Sequence, residues 1–159
     1  MDKLVSLLGH SIESTEIKDL LTDWRVAYPS KITCTIEEPD LKAKIEKDCI
    51  RLYFSRGGNS EYLKPIPTKW KGGFVGIFTS IEFTKKRKGG IPFGVEHSMT
   101  EAELTAILGE PVKTNLESES TTWRKKYSDK HEFVISDSKL KDGSRARSMK
   151  LGFIFEPEL

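Results

Sequence analysis

Three histidines, two cysteines and the carboxylates Glu101 and Glu103 are among the side chains of this sequence whose chemistry could be catalytic. His97 directly precedes Ser98, the residue types of a base and of the hydroxyl it would activate. Ser98 nevertheless stands at the entrance of an expected helix, where hydroxyls serve the backbone as caps. His10, His97 and His131 show neither His-x-x-x-His nor His-Glu-x-x-His spacing, so no metal ligands are expected among them. Glu101 and Glu103 could form an acid–base pair, but both fall in a first helical turn, where negative charge favours the helix dipole. Cys34 and Cys49 lie in separate expected strands without Cys-x-x-Cys spacing, and Cys34 alternates with Ile32 and Ile36 as a buried free thiol would. Gly72-Gly73 is not followed by Gly-Lys-Ser/Thr, and neither a Gly-x-Ser-x-Gly elbow nor a Gly-x-Gly-x-x-Gly fingerprint occurs. The expectation is therefore no catalytic residue, no metal and no cofactor, with an enzyme of unrecognised site as an alternative.

Composition sets the class. With 159 residues the chain is expected to form a single domain large enough to bury a core. Charged residues make up 31% and apolar ones 36%, and the mean hydropathy of -0.45 goes with a globular protein with a charged surface. No apolar run approaches the roughly 20 residues of a membrane span. The start, Met1-Asp2-Lys3-Leu4-Val5, shows neither a basic leader region nor a small-residue cleavage site, so no export signal is read and a cytoplasmic address is expected. Net charge is +2, with basic clusters at Lys85-Lys86-Arg87-Lys88, Arg124-Lys125-Lys126 and Lys139 through Arg147. Acids gather at Glu37-Glu38-Asp40 and at Glu117 to Glu119. A dedicated nucleic-acid binder would carry a stronger basic bias, so that class is kept only as an alternative.

The elements that would position these side chains repeat. Lys3 to Leu8 suggests a short first helix ended by Gly9. From Ser14 a second helix places Ile17, Leu20, Leu21 and Trp24 on one face. Strands follow by alternation at Ile32-Cys34-Ile36, Leu41 to Glu46 and Ile50-Leu52-Phe54, and these three read as a meander; a fourth runs through Ile77, Thr79, Ile81 and Phe83. The pattern then recurs. In Ser98-Met99-Thr100-Glu101-Ala102-Glu103-Leu104, Thr100 is the expected N-cap, Glu103 its reciprocal acceptor, and Met99 with Leu104 a hydrophobic staple; Gly109 and Pro111 end the helix. Strands follow at Trp123 to Tyr127, Phe133-Ile135 and Met149 through Phe155, with turns at Ser128 to Lys130 and Asp142-Gly143. The fold class is thus α+β: two tandem copies, about 1–88 and 89–159, each a helix followed by an antiparallel β-meander, with the helices packed on antiparallel sheet.

Ile91-Pro92-Phe93-Gly94-Val95, the capped Met99 to Leu104 segment and Ile107-Leu108-Gly109-Glu110-Pro111 together resemble the Gly-Met-Thr-x-x-Glu helix of small helix-plus-meander modules, the SmpA/OmlA and beta-lactamase-inhibitor-like group. Leu7-Leu8-Gly9 with Ile17 to Leu21 resembles the opening of small bacterial immunity proteins of polymorphic or contact-dependent toxin systems. That resemblance implies a cytoplasmic protein that neutralises a cognate toxin, a nuclease or another toxin acting in the cytosol, by stoichiometric occlusion. Such binding needs rings as anchors and complementary charge. Tyr62 and Trp70, in the long irregular segment 56–76, and the acidic turn Glu37, Glu38 and Asp40 are the expected partner-binding residues.

Overall fold

The computed structural model describes residues 1–35, 37–56, 73–115, 117 and 119–154. Among the described residues it is α+β, with three short α-helices and antiparallel strands. The chain divides into two compact units, one of Met1–Lys47, Arg51–Ile81 and Gly152–Leu159, the other of Asp48–Ile50 and Glu82–Leu151.

In the first unit, α1 (Asp2–Leu7) buries Leu4 and Leu7. Gly9 then turns the chain with φ +91°, a left-handed conformation that glycine adopts without a Cβ penalty, and its N–H donates to the Phe78 carbonyl at 2.8 Å. Helix α2 (Thr15–Trp24) starts where the sequence places it, because the Ser14 hydroxyl accepts the Ile17 N–H at 3.3 Å. Its buried face is Ile17, Leu20 and Leu21, the expected spacing, and Trp24 is half-buried.

The strands here are β1 (Thr33–Cys34), β2 (Ile45–Lys47), β3 (Ile50–Ser55), β4 (Phe74–Val75) and β5 (Ile77–Phe83), of which Ile50, Glu82 and Phe83 count with the second unit. The expected meander of the first three is not what forms. β1 leaves to pair with β4, Thr33 opposite Val75 and Cys34 opposite Phe74, while β2, β3 and β5 follow one another in sheet order. The turn at 37–40 decides this. Arg56 N–H donates to the Pro39 carbonyl and Leu41 N–H to the Phe54 carbonyl, each at 2.8 Å, so the end of β3 takes the chain just past the turn and only Ile45–Lys47 remains as β2. Buried Phe54 and Phe78 stack with centroids 5.2 Å apart, and Ile17, Leu52 and Ile81 of the same unit are buried too.

The second unit opens on a tight turn at Pro92–Gly94 and continues through α3 (Glu101–Leu108), β6 (Lys113–Asn115), β7 (Ser120–Lys126), β8 (His131–Lys139) and β9 (Arg145–Phe153), whose last two residues count with the first unit. Sheet order is β9-β8-β7-β6, with Trp123 opposite Ile135 and Asp137 opposite Thr121. Along β8, Phe133, Ile135 and Asp137 all point to the buried side. The Trp123 indole N–H donates to Thr105 Oγ1 of α3 at 3.1 Å, and Lys125 Nζ donates to the Ile107 carbonyl at the end of that helix at 2.8 Å. The capping box of α3 is complete: Thr100 Oγ1 accepts the Glu103 N–H at 3.3 Å, and Glu103 Oε2 accepts the Thr100 N–H at 2.7 Å.

Candidate functional site

The turn Glu37-Glu38-Pro39-Asp40 holds three of the residues expected to bind a partner, and all three side chains are exposed. Its backbone is fastened from both sides. Thr35 Oγ1 accepts the Glu38 N–H at 2.9 Å, the Thr35 N–H donates to the Glu38 carbonyl at 3.0 Å, and Asp40 bridges to Ser55. A cleft of about 320 Å³ opens beside it, walled by Pro29, Leu41 and Ala43 and edged by Lys31 and Lys42. The three carboxylates are not electrostatically equal. Glu38 accepts a hydrogen bond from Lys42 Nζ at 2.8 Å and has Lys31 Nζ 4.0 Å away; the Lys42 bond, then the two charges, hold its carboxyl below the usual range. Glu37 and Asp40 have no ion pair among the described residues. Tyr62 and Trp70 lie outside the described residues.

A second polar cleft, of about 500 Å³, lies in the second unit and was not foreseen from the sequence. Asp137, 1% exposed, is its buried floor. Arg147 Nη2 donates to Asp137 Oδ2 at 2.8 Å, and its Nη1 donates to the carbonyls of His97 and Met99 just before α3. Arg145 bridges Glu101 on the first turn of α3 and lies with Nε 3.6 Å from Asp137 Oδ1, an oxygen that accepts no hydrogen bond. Lys85, Leu140 and Ser144 complete the rim. The signal for this site is a charged residue two places beyond Ile135, still on the buried register of an alternating strand.

The side chains that looked catalytic have structural partners. His97 Nε2 lies 2.8 Å from the Phe83 carbonyl, which can only accept, so Nε2 carries the hydrogen. Glu103 belongs to the capping box, and its bonds from the Thr100 backbone and hydroxyl hold its carboxyl low. His10 faces Glu16 at 3.7 Å, and His131 Nδ1 lies 2.8 Å from Ser128 Oγ. Among the described residues no three His, Cys, Asp or Glu side chains gather in a way that could hold a metal ion. Cys34 and Cys49 are both free thiols, Cys34 buried with its pKa raised mainly by burial.

The basic runs are largely spoken for. Arg124 pairs with Glu132, Lys126 with Asp129 at 2.9 Å, and Lys139 with Glu119 at 2.9 Å. Arg87 donates to the carbonyls of Gly89 and Asp48. Lys85, Lys86 and Lys88 have no acidic partner among the described residues.

No helix among the described residues is long and apolar enough to cross a membrane. The chain matches no protein-family model, no curated protein and no solved structure.

Proposed function

We propose that this chain is a cytoplasmic immunity-type inhibitor that neutralises one protein toxin by occupying its surface in a one-to-one complex. The observation that carries this reading is the fastened acidic turn. Three exposed carboxylates within four residues are held by hydrogen bonds at Thr35, Phe54 and Arg56, so little backbone entropy is lost when a partner seats on them. A toxin acting on nucleic acid has a basic cleft for phosphate, and Glu37, Glu38 and Asp40 would take the phosphate places there. Tyr62 and Trp70 would supply the buried anchors. The resemblance of Leu7-Leu8-Gly9 with Ile17 to Leu21 to the opening of immunity proteins supports the same reading.

A phosphate-tracking function is less well supported, because Arg124, Lys126 and Lys139 are engaged by acids of the same chain. The test is a titration of a toxin-like domain, sought first among the genes that neighbour this chain's own. Its activity should fall linearly to an end point near one equivalent. Loss of toxin activity at catalytic amounts of this protein, or no loss at excess, overturns the reading.

A further inference from the structure

We infer that the polar cleft of the second unit is a docking site for an acidic, extended segment of a protein partner, recognised through a carboxylate and the peptide N–H beside it. The cleft is cationic on balance: Lys85, Arg145 and Arg147 stand against the single carboxylate of Asp137, and Lys85 has no acidic partner among the described residues. Arg145 is exchangeable. Its side chain is 48% exposed and that of its partner Glu101 is 49% exposed, so an incoming carboxylate competes with a solvated pair that holds weakly.

Asp137 supplies the second half of the recognition. Its Oδ2 is committed to Arg147, whereas Oδ1 is buried without a donor, a condition that few buried polar atoms of folded proteins show. Arg145 lies beside it, with Nε 3.6 Å from Oδ1. When Arg145 swings to a partner's carboxylate, Oδ1 opens to the cleft and the peptide N–H of the same partner residue supplies the missing donor. Leu140, 47% exposed at the end of the β8–β9 hairpin, gives an apolar wall for the adjacent side chain. A fully deprotonated oxyanion such as sulfate would satisfy the cations but has no hydrogen to donate to Oδ1. The inference concerns the second unit alone and stands whether or not the acidic turn of the first unit binds a toxin.

The experiment is a proton–nitrogen NMR titration of the full chain with the blocked peptide acetyl-Gly-Glu-Leu-Glu-Gly-amide, its counterpart with glutamine for glutamate, and sodium sulfate. The acidic peptide should move the signals of His97 and of 144–147 saturably, and the other two probes should bind at least about tenfold more weakly. Lys85→Glu and Arg145→Glu, both exposed sites, should each weaken the peptide by at least about tenfold while the remaining spectrum stays that of the folded chain. Glu101→Gln removes the internal competitor and should tighten binding severalfold, whereas Asp129→Asn, the same change of charge elsewhere in the unit, should not. An absent or unsaturable response overturns the inference, as does binding indifferent to Lys85→Glu. Equal affinity for sulfate would make this a simple anion site, and equal tightening by Asp129→Asn would reduce the effect to bulk charge; either result also overturns it.

Discussion

Asp137 on β8 and Arg147 on β9 form a buried ion pair, Nη2 to Oδ2 at 2.8 Å with side chains 2% and 14% exposed. Two charges taken from water are stabilising only while each keeps its partners, and Arg147 has three: Asp137 and the carbonyls of His97 and Met99. Asp137→Ala strands the guanidinium and should cost about 3 to 5 kcal/mol, read as a lower urea midpoint. The double variant Asp137→Leu with Arg147→Met should recover part of that loss, although two carbonyls lose their donor. A double variant no more stable than the single one would show that the pair is not what Asp137 contributes.

The α3 capping box offers a separate measurement. Thr100→Ala removes the hydroxyl that accepts the Glu103 N–H and should lower stability by about 0.5 to 2 kcal/mol. Leu104, one turn on and 0% exposed, is core, and Leu104→Ala should cost about 2 to 5 kcal/mol. Chemical denaturation of both variants checks the ordering, which reverses only if the cap governs the unit more than its packing does.

Much of this architecture is written locally. Ser14 and Thr100 announce their helices because a cap needs only residues within one turn, and the alternation of Ile50-Leu52-Phe54 and Phe133-Ile135 survives as β3 and β8 because a one-residue slip would expose an entire face. What escapes the sequence is long-range. That β1 joins β4 rather than β2 depends on how residues 39–41 are taken by Phe54 and Arg56, and no periodicity encodes that partner choice. β6 carries no alternation to announce it; its pairing with β7, Thr114 opposite Thr121, defines it. The acidic turn is visible as composition, and its side chains are exposed; the cleft at Asp137 is not, because β9 brings Arg145 and Arg147 to it only once the hairpin closes.

His131 should make the protein sensitive to mild acid. Burial first, and the Lys130 charge second, hold its imidazole below the ordinary value, so it is neutral in the folded chain. Ser128 Oγ accepts the N–H groups of Lys130 and His131 and so turns its own proton toward Nδ1. In the unfolded chain the imidazole gains a proton near its ordinary value of about 6.5, while the folded one does not until lower pH. The unfolded state therefore binds more protons below about pH 6.5, and stability falls as pH drops from there toward the lowered folded value. His131→Gln should flatten that fall in urea midpoints measured from about pH 7.5 to about pH 5. Parallel curves for the two proteins would remove His131 as the cause.

The acidic turn should reveal itself in association rate. Glu37 and Asp40 are exposed and lack ion pairs among the described residues, whereas Glu38 is already shared by Lys42 and Lys31. Rim charges of this kind steer encounter more than they hold a complex, and their field fades beyond about 8 Å at physiological salt. Reversing Glu37 to Lys should therefore slow binding of a basic toxin domain at low salt, with dissociation little changed and the difference shrinking as salt is added. Glu38→Lys should act similarly but also free Lys31 and Lys42, adding local positive charge and a larger slowing. Stopped-flow association across a salt series distinguishes the two variants. The acidic turn is excluded as the contact if both associate at the wild-type rate at low salt while remaining folded.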